Sequence, residues 1–146
     1  MTTTPKIDRF TGPYAFLSNF YIADVLGVDD TLYPSVEHAF QAAKATGRAE
    51  RSRIRMAESP ALAKYLGQRV TLREDWDRHK RDVMLKLLRS KFTRHTALRT
   101  MLLDTGDAEL IEGNTWNDTY WGVCAGVGEN HLGRLLMQVR GEWGVG

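Results

Sequence analysis

The sequence predicts a mainly α protein, α+β in class with a small β-sheet or hairpin, and three observations carry that prediction. Apolar residues recur at helical spacing through most of the chain after Ser35. Ser, Pro and Gly stand where helices should begin and end, as in Ser35, Ser59-Pro60 and Gly67. Strand-like patterning is confined to short stretches around residues 22–33 and 108–112. A chain of 146 residues suits one compact domain. We expect that domain over residues 10–146, preceded by a flexible N-terminus over residues 1–9.

The elements follow in order. Residues Phe10 to Tyr33 read as an irregular aromatic segment leading into a hairpin, with Ile22 to Leu26 and Thr31 to Tyr33 flanking a turn at Gly27 and Asp29-Asp30. Tyr33-Pro34 forces an extended exit, Ser35 caps a helix of about three turns, and Gly47 is placed to stop it. A basic helical piece covers Arg48 to Ala57, and the next helix is capped by Ser59, opened by Pro60 and closed by Gly67. The longest helix is expected from Arg73 to about His95, with Trp76, Lys80, Val83, Met84, Leu87, Leu88 and Phe92 along one stripe. Thr96 caps a short helix through Leu103, and Ala108 to Glu112 form a strand. After a loop rich in Gly, Asn and Trp, an amphipathic helix runs from about Glu129 to Trp143.

Composition narrows the function classes. A net charge of +2 predicts no duplex-binding surface by itself, so any nucleic-acid contact has to be local. The single cysteine, Cys124, excludes an intramolecular disulfide and a thiolate metal site, which fits a reducing compartment. No apolar stretch is long enough to span a bilayer and none follows Met1 as a leader would, so a cytoplasmic protein with no membrane partner is expected. The four histidines lack zinc-binding spacings, and neither a P-loop nor a G-x-S-x-G elbow is present; no metal and no cofactor is expected.

The helix after Ser35 carries the main candidate. Glu37, Gln41 and Lys44 fall at i, i+4 and i+7 on one face, while Val36, Ala39, Phe40 and Ala43 fill the rest. Acid and amine are separated by roughly 10 Å of helical rise, too far for a direct ion pair, so both can converge on something between them. By itself the stripe fits a solvated face equally well, although a helix this apolar is expected to be buried on several sides. His38 lies off the stripe and reads as a structural hydrogen-bonding residue.

Three further segments could serve a site. In Phe16-Leu17-Ser18-Asn19-Phe20, polar Ser18 and Asn19 sit among rings that could stack on a base, or simply form a hydrophobic flap. The loop Gly113 to Gly122 carries Asn117, Asp118, Tyr120 and Trp121; a carboxylate at Asp118 opposite Glu37 would supply paired acids, and Asx-capped turns are the plainer account. The turn Gly126-Val127-Gly128 enters a helix at Asn130 and Arg134, where main-chain amides or these side chains could meet phosphate or merely cap the helix.

Taken in order, these segments resemble the NADAR, or YbiA-like, family over nearly the whole chain. The match rests on Phe16-Leu17-Ser18-Asn19-Phe20 and Tyr33-Pro34-Ser35-Val36-Glu37-His38-Ala39-Phe40-Gln41-Ala42-Ala43-Lys44. It continues through Ser59-Pro60 with Ala63-Lys64 and Gly67, Trp76 with Val83-Met84, and Lys91-Phe92. In the C-terminal half it takes in Leu110-Ile111-Glu112, Asp118 with Trp121-Gly122, and Asn130-His131-Leu132-Gly133-Arg134. The resemblance implies a YbiA-like fold and an N-glycosidase that separates a base-like amine from C1 of a phosphorylated ribose. It implies Glu37 and Lys44 as central catalytic residues, with Asn19, Trp76, Asp118 and Trp121 lining the pocket.

Two substrate classes follow from it: guanine carrying ADP-ribose, free or in single-stranded DNA or RNA, and phosphoribosyl intermediates of riboflavin biosynthesis. The first is the expected one. The site set is then Glu37, Lys44 and Asp118 for catalysis, with Phe16, Ser18, Asn19, Phe20 and Gln41 against substrate. Trp76, Asn117, Tyr120, Trp121, Asn130 and Arg134 complete the substrate-binding set. A non-enzymatic reader of ADP-ribose or another NAD derivative would need the rings and phosphate contacts but not Glu37 and Lys44 together. An interaction module built on the basic helix would instead show an exposed apolar patch.

Overall fold

A computed structural model describes residues 5–144. Along the chain run β1 (Lys6–Ile7), a 3-10 helix (Gly12–Leu17), β2 (Val25–Leu26), β3 (Leu32–Tyr33), α1 (Val36–Ala43), α2 (Arg48–Arg55), α3 (Pro60–Gly67), α4 (Trp76–Arg94), α5 (Thr96–Asp104), β4 (Glu109–Leu110), β5 (Gly113–Asn114), β6 (Val123–Cys124) and α6 (His131–Trp143). The mainly α architecture with little sheet is as the sequence predicts. The described residues divide into two compact units, one Asn19–His95, the other comprising residues up to Ser18 and from Thr96 onward.

In the unit Asn19–His95, α1 is the centre. All eight of its residues are buried, and it packs against α2, α3 and α4. Ser35 caps it by accepting from the His38 amide at 3.1 Å, worth about 1 kcal/mol. At the other end the Lys44 carbonyl accepts from the Arg73 amide at 2.8 Å, and Ala45 bridges Leu72, so the last turn is not left unpaired. Gly47 does not stop α1, which ends at Ala43; it is the extended N-cap of α2. β2 and β3 form the expected hairpin, with Val25 opposite Tyr33 and Leu26 opposite Leu32. α4 starts at Trp76 rather than Arg73, because Asp75 is in the left-handed region at φ 57° and breaks the helical run. Its buried stripe is as expected except that Lys80 is only half-buried; Lys91, outside the expected stripe, is fully buried against the rings of Tyr21 and Phe92, and that burial lowers its pKa to about 7.

In the other unit, β1 pairs in parallel with β4, Ile7 opposite Leu110. Of the N-terminal segment expected to be flexible, Lys6 and Ile7 thus lie in a strand, and residues 1–4 fall outside the described ones. β5 and β6 pair in parallel within what the sequence reads as a loop, because the intervening residues return the chain alongside itself. α6 begins at His131, after Asn130 at φ 56°, two residues later than expected. Among the described residues no helix is long and apolar enough to cross a membrane.

His38 bears out its structural reading. Its Nε2 lies 3.0 Å from the Ala57 carbonyl, which only accepts, so the ring proton sits on Nε2 and Nδ1 accepts the Ser35 hydroxyl at 2.7 Å. Burial holds its pKa below the ordinary 6.5. With the folded value below the unfolded one, the neutral ring's contribution to stability is complete above pH 6.5 and is lost as pH falls through the folded pKa. His38→Leu is expected to lower stability by about 1–3 kcal/mol and to shrink the drop in urea midpoint between about pH 7.5 and about pH 5.5. An unchanged drop would place that pH sensitivity elsewhere.

Candidate active site

The stripe on α1 is not a solvated face. Glu37 and Gln41 are 8% and 4% exposed, which settles the choice that periodicity left open. A buried carboxylate needs hydrogen bonds, and Gln41 Nε2 donates to Glu37 Oε2 from one turn away. Gln41 therefore orients the acid as well as spacing it from the amine. The Glu37 amide, in the first turn, donates to the Asn19 carbonyl at 3.1 Å, which ties Asn19 to the start of the helix across eighteen residues of sequence. The Asn19 side-chain amide reaches Met84 Sδ at 3.5 Å. Among the described residues, Asn19 Oδ1 and Gln41 Oε1 are buried without a hydrogen-bond partner, acceptors that a polar ligand could engage.

Lys44 caps the C-terminal end of the helix, half-buried, with Nζ 5.7 Å from the centre of the Phe40 ring. Phe40 in turn meets buried Trp76 at 5.2 Å between ring centres, tilted by 56°. The Lys44 pKa is lowered from 10.5, chiefly by burial; Glu37 opposes the shift, and the charges of Lys64 and Lys80 add to it. These two lysines belong to the surroundings of the amine, and sequence reasoning missed them. Lys64 reads there as part of an ordinary helix and Lys80 as part of a core stripe; nothing local says that the charges of both act on Lys44.

Gly67 is the other missed residue. A Cβ built on it would lie 2.0 Å from Gln41 Oε1 and 2.8 Å from Gln41 Cβ, so only glycine lets α3 approach α1 this closely. The sequence presents it as a helix stop, and α3 does end at Gly67; what the sequence does not show is that its small size seats the amide that holds Glu37.

Asn19, Glu37, Gln41, Lys44 and Trp76 are thus gathered in one unit, where Phe20 is exposed at 42%. Phe16, Ser18 and the residues from Asn117 to Arg134 belong to the other, where Phe16 is core and Ser18 ends the 3-10 helix. There Asp118 organises its own loop. Its Oδ1 accepts from the Tyr120 and Trp121 amides at 3.1 and 2.9 Å, while its amide and carbonyl are tied to the Asn114 side chain. Tyr120 stacks edge-on against Trp121 at 4.9 Å, and Asn117 is exposed at φ 68°.

The phosphate cradle expected at the start of α6 is not open. The amides of Glu129, Asn130, His131 and Leu132 donate to the carbonyls of Thr119, Gly122, Tyr120 and Trp121. Asn130 neither caps the helix nor offers its amide outward: Oδ1 accepts from the Glu112 amide and Nδ2 donates to the Leu110 carbonyl, both at 2.9 Å. Arg134 is exposed, with Nε on the Glu129 carbonyl at 2.9 Å. Among the described residues no group of His, Cys, Asp and Glu side chains gathers in a way that could hold a metal ion.

A helical unit that buries a carboxylate, braces it with an amide and sets a desolvated amine on the same helix has the make-up of an enzyme site. The chain belongs to the NADAR family, whose NADAR domain matches residues 8–143. It is 42% identical over 135 residues to the N-glycosidase YbiA of Shigella flexneri, covering 90% of this chain and 83% of that protein. The NMR structure of YbiA from E. coli superposes with a TM-score of 0.83 at 38% identity, over 97% of this chain and 86% of the other. The Riboflavin biosynthesis protein VVA0006 of Vibrio vulnificus is 39% identical over 132 residues, which span 88% of this chain and 35% of that protein.

Two outcomes follow from the geometry. Gly67→Ala should destabilise the protein by about 1–3 kcal/mol in urea denaturation. Adding Gln41→Ala should cost less in that background than alone, because the two side chains compete for one space; strictly additive losses would remove the contact from the account. Lys44, followed by NMR after reductive ¹³C-methylation, should titrate below 10.5, and Glu37→Gln should lower its midpoint further by removing the charge that holds it up. A midpoint that rises in Glu37→Gln would contradict the arrangement.

Proposed function

We propose that the chain is an N-glycosidase that hydrolyses the C–N bond between a base amine and C1 of a phosphorylated ribose. The observation that carries this is the buried Glu37, held by Gln41, on the same helix as the desolvated Lys44. Breaking a ribosyl C–N bond develops positive charge on the sugar and negative charge on the departing nitrogen, and these two groups can answer both. The Lys44 amine, in its neutral form, attacks C1; the C–N electrons leave with the base nitrogen, which takes up a proton relayed by Glu37. The ribosyl-lysine opens to an imine, and water hydrolyses it to free sugar phosphate and the amine. In the plainer course water attacks C1 directly, Glu37 moves the proton and Lys44 stays charged. The buried oxygens of Asn19 and Gln41 suit the hydroxyl donors of a sugar, and Trp76, packed on Phe40, adds an apolar ring to the same unit. Asp118 would act through the loop it shapes.

Within this class we take ADP-ribosylated guanine, in nucleic acid or as a nucleotide, as the first reading. Phosphoribosyl intermediates of riboflavin biosynthesis are the second, favoured by the name of the Vibrio relative. Both place a ribose C1–N bond at the same two residues, in a cytoplasmic setting that suits one unpaired cysteine.

The pure protein should be incubated in parallel with an ADP-ribosylated guanosine oligonucleotide and with phosphoribosylated aminopyrimidines, and the products weighed. Release of ADP-ribose with the unmodified oligonucleotide, or of the aminopyrimidine with ribose phosphate, is the expected result, with the arm that reacts naming the substrate. Binding of both without release would point to a reader of ADP-ribose instead. Glu37→Gln should slow turnover by roughly 10²-fold or more. Borohydride added during turnover should trap a ribosyl adduct on Lys44, and no adduct under conditions that reduce known imines would leave only direct attack by water.

A further inference from the structure

We propose that Asn114, braced by Glu112, is a positioning residue for the substrate site: it fixes the loop on which Asp118 holds one carboxylate oxygen ready for a hydrogen-bond donor of the substrate. The proposal deepens the N-glycosidase reading and rests on it for the part Asp118 plays.

Asn114 spends its whole side chain on the loop. Its own backbone is fixed in β5, opposite Cys124 of β6. Oδ1 accepts from the Asp118 amide at 3.0 Å and Nδ2 donates to the Asp118 carbonyl at 2.9 Å, so one side chain grips both main-chain polar groups of Asp118 as a paired strand would. Nδ2 also donates to Glu112 Oε2 at 3.1 Å. That carboxylate is seated against the far end of the loop, because a Cβ on Gly122 would run into both Glu112 Oε2 and the Glu112 carbonyl, and only glycine admits them. The Val123 amide then donates to the same carbonyl at 2.9 Å. Between these ends Asp118 Oδ1 takes the amides of Tyr120 and Trp121. The contacts therefore run from Glu112 through Asn114 and Asp118 to Trp121 and return to Glu112 at Gly122, a closed ring.

Such a ring leaves Asp118 little freedom, yet it uses only half of the carboxylate. Oδ1 accepts two hydrogen bonds, whereas Oδ2 has no hydrogen-bond partner among the described residues, and Asp118 is only half-buried. An acceptor held in this way meets a donor without first losing conformational freedom. A carboxylate repels phosphate, so the donor it takes is a hydroxyl of the ribose or an N–H of the base. Truncating Asn114 leaves the Asp118 side chain chemically intact but frees the main chain that aims it, and the loss of activity then comes through Asp118.

The test is a double-mutant cycle of wild type, Asn114→Ala, Asp118→Asn and the double variant, with Asn114→Ser as a second, milder truncation and thermal melts for each. Asp118→Asn keeps an oxygen for the Tyr120 and Trp121 amides and exchanges the other acceptor for a donor. Rates are read with the ADP-ribosylated guanosine oligonucleotide and the phosphoribosylated aminopyrimidines, and binding by calorimetric titration of ribose 5-phosphate. Asn114→Ala should lower kcat/KM roughly tenfold or more, mostly through KM. In the Asp118→Asn background the same substitution should cost less than about threefold in kcat/KM. Its loss in melting temperature should be alike in both backgrounds, because Asn114 bonds the main chain of residue 118 whatever side chain stands there. Weaker binding of ribose 5-phosphate in Asn114→Ala puts the donor on the sugar; a loss confined to the intact substrates puts it on the base. Losses in kcat/KM that add, as a purely structural role would give, or Asn114 variants with the kcat/KM of wild type, would overturn the proposal and leave the N-glycosidase. A wild type that binds ribose 5-phosphate but cleaves neither substrate removes the N-glycosidase, and the same cycle read on the dissociation constant then supports or overturns the positioning role. A wild type that neither binds nor cleaves removes both.

Discussion

Helix α1 must bury polar groups on nearly every side, and the unit Asn19–His95 is arranged to make that possible. Val36, Ala39, Phe40 and Ala43 gain from exclusion of water, but the same exclusion would be ruinous for Glu37, His38 and Gln41 without partners. Each receives one. Gln41 donates to Glu37, and His38 bridges the Ser35 hydroxyl and the Ala57 carbonyl. The ends of the helix are closed from outside by the Asn19 carbonyl and the Arg73 amide. Close approach of α3 then demands glycine at position 67, and the same packing leaves a buried acid and a half-buried amine on one helix.

Desolvation also separates Lys44 from the lysines of the surface. A surface lysine is charged and inert as a nucleophile; one at the end of a buried helix, facing two further cations, is pushed toward its neutral form, while Glu37 limits the shift. Lys91 is still more deeply buried, and its lowered pKa follows from that alone, so a perturbed amine is not by itself a sign of catalysis. What sets Lys44 apart is the carboxylate on its own helix.

The loop from Gly113 to Gly122 illustrates the converse. Its Asn, Asp and Trp residues are conspicuous in sequence, yet the hydrogen bonds of Asn114 and Asp118 go largely to main chain and serve to shape the turn, as do those of Asn130 beyond it. The start of α6 likewise spends its free amides on loop carbonyls. Polar residues dense enough to suggest a binding site were needed first to fold a segment with little regular structure.

Much of this was legible from residues alone. The helical spacing of Val36 to Lys44, the Ser35 and Ser59 caps, Pro60, and the stripe from Trp76 to Phe92 are short-range signals, governed by 3.6-residue periodicity and by end groups that need hydrogen bonds. They determined the helices, the shared face of Glu37, Gln41 and Lys44, and the structural part played by His38. Whether that face met water or protein was decided only by tertiary structure, because periodicity says which residues point together and not what lies opposite. The same holds for Gly67 seating Gln41 and for Asn130 bonding to Leu110 and Glu112. Each is a contact between residues far apart in the chain, and burial, on which charge and hydrogen bonding both depend, exists only once those distant pieces have come together.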